Sequence, residues 1–363
     1  MKIAAVETIV VRLPFRHDGP PSGFGGKIWT TMDTLLVKVE TDAGITGWGE
    51  AFGFNCIPAT KAAIDSQIAP LAIGEDAGDI AGTGRRLQHQ LHVFGRNGPV
   101  TFGLSGLDIA LWDIAGKVAG LPLHRLLGGG GRADLPAYAS LLRYTDPDVV
   151  GRVSAAAAAR GHRHIKLHEV TIEATAAARA AVGPDVAIML DTNCPWTLDE
   201  AMAMARGLAP LDLHWLEEPL WPPENHGGLA ALRARAGIPI AAGENVASPM
   251  DFAALFRAGA VDIAQPSVTK IGGVTAMREV MAVAAAHNVQ VTPHAPYFGP
   301  GLLATIQVIA ASPLPILVER LHVDMEPDLF GGLTAAPGGR MRVPHGPGLG
   351  CDPDPAVIAQ YGV

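Results

Sequence analysis

The chain has 363 residues, 48% of them hydrophobic and 17% charged, with a net charge of −8. That is enough apolar material for one large domain plus a smaller one, and the acidic balance leaves no basic stripe to displace counterions from a nucleic acid. Three cysteines, Cys56, Cys194 and Cys351, are odd in number and far apart, which fits a reducing compartment and neither a zinc site nor a redox pair.

The opening MKIAAVETIVVRLPFRHDGP has its apolar residues interrupted by Glu7, Arg12 and Arg16, unlike a signal peptide. No run approaches the ~18 apolar residues of a membrane span. A soluble, cytoplasmic protein with no membrane partner is expected. MKIAAVETIVVRLPF reads as a strand, and TLLVKVETDAGITGWGEAF as a hairpin turned at Asp42-Ala43-Gly44. Between them RHDGPPSGFGGK is a long Gly/Pro-rich loop, of the kind that is usually functional or mobile. Residues from about 58 to 127 read as helices, so residues 1–125 form an α+β unit. LLGGGGR at 126–132 lacks the Lys-Ser/Thr of a phosphate-binding loop and reads as a flexible joint.

From about residue 135 the pattern becomes a strand–helix alternation. LPAYASL, RHIKLH, VAIML, LHWLE, IPIAA, VDIAQP, VQVTP and PILVE are short apolar strands separated by Ala-rich helical stretches. Thr197-Leu-Asp-Glu200 is a capping box, and Ser248-Pro249 places proline at a first helical position. Eight such units imply a parallel α/β barrel over residues 126–320. An open doubly wound sheet would want a Gly-rich turn after its first strand, and ASLLRYTD offers none. Residues 321–363 lack this rhythm and are expected to pack back on the opening unit.

The strand ends carry ionisable residues at intervals of 23 to 27: Lys166 and His168, then Asp191, Glu217, Glu244, Lys270, His294 and Glu319. One interval is one βα unit, so these residues converge on the carboxyl-end face, where barrel enzymes build their sites. A charged residue closing one strand is ordinarily just solvated; the shared phase argues for a site. Asp191 (in LDTN, with Asn193 beside it), Glu217 and Glu244 would repel one another without a cation. All-oxygen ligation suits Mg²⁺ or Mn²⁺. In WLEEP, Glu218 is the alternative ligand or a supporting contact. Lys166 and His168 are two apart, so on a strand they face one way. Lys270 opens a loop and reads equally well as a supporting or a solvated residue. The parts suit removal of a proton α to a carboxylate: a metal, a lysine and a glutamate that can donate a hydrogen bond, Glu319, stabilise the enediolate, and a histidine or lysine takes the proton.

These strings resemble the mandelate racemase/muconate lactonizing enzyme branch of the enolase superfamily. GLSGLDIALWDIAGKVAGLPLHRLLGG, GHRHIKLH, LDTN, WLEEP, AGEN, SVTKIGG, TPH and VER carry the resemblance across essentially the whole chain. It implies Mg²⁺, a modified TIM barrel, (β/α)7β, and an α+β N-terminal capping domain completed by the C-terminal tail, with specificity loops near 14–28 and 50–57. It also implies contact of Lys166 with the substrate carboxylate. Two departures set the subgroup. His168 stands where a second lysine usually acts as base, and Ser267 stands where an aspartate usually supports His294. That favours one-base chemistry over racemisation or epimerisation. With HAPYFGPGLLAT, the pattern is similar to sugar-acid cycloisomerases acting on galactarolactone or anhydrogalactonate. The expected partner is a small carboxylate, an acid sugar or its lactone, and a homo-oligomer is expected. An acid-sugar dehydratase is the alternative; a non-catalytic sugar-acid binding protein would not need a base beside an electrophilic metal.

Overall fold

The computed structural model describes residues 1–23 and 28–363. Its first strands are long because β-branched residues dominate them. β1 (Ile3–Arg16) and β2 (Thr31–Thr41) pair antiparallel through Val6↔Val39 and Val11↔Thr34. β3 (Thr46–Ala51) completes the hairpin, turned at Gly44, whose φ of 75° favours glycine. Arg16, expected to open the loop, belongs to β1, and residues 24–27 of the Gly/Pro-rich segment lie outside the described residues. Helices α1 (Ile57–Ala63), α2 (Ala69–Ala72) and α3 (Ile80–Leu91) precede the long α4 (Pro99–Ala119), and α5 (Leu123–Leu126) leads on to the barrel. α4 lies close against β3 because both faces carry glycine: a Cβ on Gly49 would sit 1.9 Å from the Gly106 carbonyl oxygen.

Eight parallel strands follow: β4 (Asp134–Ser140), β5 (His164–Leu167), β6 (Ala187–Asp191), β7 (Leu213–Glu217), β8 (Ile240–Ala242), β9 (Ile263–Ala264), β10 (Gln290–Val291) and β11 (Val318–Leu321). They are hydrogen-bonded in the order β10-β9-β8-β7-β6-β5-β4-β11. Each overlaps one of the eight apolar segments read from the sequence. Helices α6 (Pro147–Ala159), α7 (Ile172–Val182), α8 (Leu198–Leu208), α9 (His226–Ala236), α10 (Pro249–Arg257), α11 (Gly273–Ala286) and α12 (Pro300–Ala311) alternate with them. No helix follows β11 until α13 (Pro355–Tyr361), so the architecture is (β/α)7β. The Thr197–Glu200 capping box starts α8, and Ser248 caps α10 with Pro249 in its first turn.

Alternation along the strands divides the barrel into layers. Tyr138, Met189, Trp215, Ala241 and Ile263 form an apolar plug inside it. Two positions further along β4, β6 and β7, Ser140, Asp191 and Glu217 therefore point inward above that plug. The opening sheet is clamped to the barrel by α4, whose Trp112 Nε1 donates to Thr275 Oγ1 of α11 at 2.9 Å, while Asp108 accepts from the Thr275 backbone N–H at 3.0 Å. The joint read at 126–132 is packed at Gly129, where a Cβ would meet Ala311 Cα at 2.6 Å. The tail touches both units: β12 (Asp324–Met325) pairs with β1, Gly362 bridges Val11, and β13 (Arg340–Arg342) pairs antiparallel with β4. No helix among the described residues is long and apolar enough to cross a membrane.

Candidate active site at the barrel mouth

Lys166 is the buried hub of the strand ends. Its ammonium lies 2.8 Å from Glu217 Oε1, 2.9 Å from Glu319 Oε1 and 3.2 Å from Asp191 Oδ2. Burial alone would discharge it, but the Glu217, Glu319 and Asp191 carboxylates hold it firmly protonated. Burial likewise works against ionised Asp191, yet Lys166 and the adjoining His168 keep its pKa low. Glu217 feels burial and the neighbouring Asp191 charge, and its pKa is raised. Trp215 Nε1 fixes the other oxygen of Glu217 at 2.8 Å.

One carboxylate oxygen from each of Asp191, Glu217 and Glu244 lies within 4.8 Å of the others. Glu217, and not Glu218, belongs to this cluster. Glu218, at φ 45°, turns back to accept from the Gly243 N–H at 2.9 Å and from Cys194 Sγ at 3.1 Å. Burial and the nearby Glu244 push its pKa to about 7. Three crowded hard oxygen donors, with one lysine insufficient to relieve Glu217, fit a small divalent cation. Asn193 holds the second Asp191 oxygen through its backbone N–H and its Nδ2, both at 3.0 Å.

The two histidines enter from separate strands. His168 Nδ1 donates to the Leu141 carbonyl, since a carbonyl can only accept, which leaves Nε2 as the nitrogen that faces Asp191 Oδ2 at 3.2 Å. His294 Nε2 meets Glu244 Oε2 at 2.8 Å, whereas its Nδ1 is buried with no hydrogen-bond partner among the described residues. Ser267 is hydrogen-bonded to Tyr297 Oη. Burial would raise Glu244, but His294 holds its pKa down at about 2. Glu319 is also kept low, burial being overcome by Lys166 and His294, and it accepts from the Ala295 N–H at 2.8 Å. It is therefore an ionised acceptor in this state.

A cavity of about 180 Å³ covers these groups, lined by His168, Asn193, Glu244, Lys270, His294 and Glu319 below. Trp29, Phe52 and Phe54 form its upper wall, with the Trp29 and Phe54 rings stacked 5.4 Å apart. Lys270 belongs to the site: its ammonium sits 4.8 Å from the Phe52 ring centroid, and burial lowers its pKa. Sequence reasoning did not single out the aromatic wall, Ser140, Tyr297 or Arg143. Arg143 ties the His168 carbonyl at 2.6 Å to Asn193 Oδ1 at 2.9 Å. The aromatics were visible only as isolated Trp and Phe residues in Gly-rich loops, and Arg143 as a lone cation beyond a strand.

A parallel barrel with an acidic triad, a buried lysine and two histidines at its mouth, roofed by a separate α+β unit, defines an enzyme of the enolase type. The chain belongs to the mandelate racemase/muconate lactonizing enzyme family: residues 8–128 match the N-terminal domain of that family, and residues 148–357 match the enolase C-terminal domain-like model. It is 33% identical over 385 residues to the D-galactarolactone cycloisomerase of Agrobacterium fabrum, covering 99% of each chain. It is 31% identical to the arabinonate dehydratase of Saccharolobus solfataricus, covering 91% of each. The crystal structure of the 3,6-anhydro-D-galactonate cycloisomerase from Zobellia galactanivorans superposes with a TM-score of 0.85 at 28% identity, covering 100% of both chains.

Proposed function

We propose that this enzyme removes the proton α to the carboxylate of a sugar-acid lactone or anhydro sugar acid and expels the tethered ring oxygen, a cycloisomerisation through an enediolate. The observation that carries this reading is the unequal pair of histidines. His168 has its tautomer fixed by the Leu141 carbonyl, while the buried Nδ1 of His294 has no carboxylate behind it. One oriented base suits elimination better than a racemase, which needs two matched bases.

Asp191, Glu217 and Glu244 would hold Mg²⁺, or Mn²⁺ in its place, and the bound cation would supply an electrophile for the charge that develops on the substrate carboxylate. Lys166 shares that charge from beneath. His168 Nε2 takes the α proton. His294, from β10, assists the departing oxygen or returns a proton to the product. Asn193 and Glu218 hold the acidic cluster in place, Ser267 positions Tyr297 beside His294, and Lys270 with the aromatic wall receives the distal hydroxyl groups. Residues 1–125 act as the cap, 126–320 as the catalytic barrel and 321–363 as the segment joining them, in a cytoplasmic homo-oligomer.

Loss of a free hydroxyl from the same enediolate would make the enzyme an acid-sugar dehydratase; the 31% identity to an arabinonate dehydratase favours keeping this second reading. A panel of acid sugars and their lactones, incubated with the protein and Mg²⁺ in deuterated water and read by NMR, separates them. Cycloisomerisation of a cyclic substrate yields an isomeric keto acid in which the α carbon has become the carbonyl and the carbon that lost the ring oxygen carries one solvent deuterium. A 2-keto-3-deoxy acid from an open-chain substrate selects the dehydratase. Turnover that survives exhaustive chelation contradicts both.

A further inference from the structure

The strand that would feed an eighth helix, β11, is followed by irregular chain, and a cavity of about 440 Å³ lies beside it. Arg160 and His162 reach it from the end of α6, Arg320, His322 and Asp324 from β11 and its continuation, and Arg342 from β13. Three arginines thus line the space against one aspartate.

The cations are not equally answered. Arg160 pairs with Asp18 at 2.9 Å and with Asp324 at 3.0 Å. Arg320 is only 8% exposed, and its guanidinium is spent on the carbonyl oxygens of Thr334, Leu321 and Val323, all uncharged. Burial lowers its pKa to about 10. Arg342 makes no hydrogen bond or ion pair among the described residues. His162 is 4% exposed, and its Nδ1 is buried without a hydrogen-bond partner among the described residues. The ring of His322 stands edge-on to it at 5.8 Å, with His322 itself bonded to Asp18. Asp328 and Asp324 act on Arg320 only through space, with neutral carbonyl oxygens as its direct partners, and an unpaired buried ring nitrogen is costly as well. One small anion in the cavity relieves both, because guanidinium groups match oxyanions in geometry and charge.

We propose that the cavity left by the missing eighth helix is a binding site for a phosphate monoester, separate from the barrel mouth, with Arg342 and Arg320 facing the phosphate and His162 completing its shell. The volume exceeds what a phosphate group alone fills, which leaves room for the organic part of an ester. Titration calorimetry on the whole protein, without added metal, tests this with inorganic phosphate and glycerol 3-phosphate as probes. Both should bind at one site per chain, and Arg342→Gln should weaken binding about tenfold, the loss of one charge-assisted contact. Turnover at the barrel mouth should be unchanged in that variant. Lys166→Ala, which disrupts the mouth, should leave phosphate affinity unchanged. No binding to the folded wild-type protein at about 10 mM probe, a range that spans weak specific sites, overturns the proposal. Binding that is indifferent to Arg342→Gln and lost in Lys166→Ala overturns it equally, because the anion would then occupy the catalytic site.

Discussion

Asp191, Glu217 and Glu244 differ in their partners: Lys166 and His168 for the first, the same Lys166 and Trp215 for the second, His294 for the third. Changing any one to its amide removes a charged ligand and leaves these partners in place. Asp191→Asn, Glu217→Gln and Glu244→Gln should each abolish turnover. Mg²⁺ affinity, followed by calorimetry, should fall by more than the 10–100-fold that roughly attends loss of an outer-shell partner. A variant that binds Mg²⁺ like the wild type would remove its residue from the proposed ligand set. These acids were legible because they recur once per βα unit, and backbone periodicity alone brings them together. Lys270 was ambiguous, since whether a loop lysine is solvated depends on what packs above it, here Phe52 from the opening unit. The aromatic wall and Arg143 depend on packing between segments far apart in the chain, which no local pattern encodes.

At the scale of elements, two substitutions separate local from tertiary causes. Thr197 caps α8 with a reciprocal bond to Glu200, its backbone N–H donating to Glu200 Oε2 at 2.8 Å. Thr197→Ala should cost about 1 kcal/mol in urea denaturation, with kcat unchanged. Gly49→Ala drives a Cβ into the Gly106 carbonyl at 1.9 Å, and β3 and α4 must part to admit it. That should cost about 1–3 kcal/mol or more, and equal stability to the wild type would contradict the packing. The eight barrel strands were legible because parallel strands covered on both faces read as short apolar runs between helical segments. Formal pairing in β9 and β10 covers two residues each, so their positions could be read but not their lengths. β13 was not read from the sequence: RMR alternates over only three residues, too short a run to mark a strand, and it pairs along the edge that β4 offers.

Cap and barrel are joined in part through Glu50, at the end of β3, which accepts from the Gly301 N–H of α12 at 2.8 Å. Burial raises its pKa to about 8, against the pull of the Gly301 and Gly299 N–H groups. A carboxyl whose folded pKa lies above its unfolded value of 4.5 favours the folded state fully below pH 4.5, and that contribution is lost as pH rises through about 8. Denaturation midpoints of Glu50→Gln relative to the wild type should therefore climb across this window and level off above it; a flat difference would show that Glu50 is ionised throughout. The central claim is narrower: His168 at the mouth of this capped barrel takes the α proton. Its most direct test is wash-in of solvent deuterium at the α carbon of the remaining, unconverted substrate, measured by NMR for wild type, His168→Ala and His294→Ala with Mg²⁺ binding checked in each. The wild type and His294→Ala should exchange the proton, the latter with elimination slowed, while His168→Ala should not exchange it although it still binds the metal. Exchange that persists in His168→Ala and stops in His294→Ala would contradict the account.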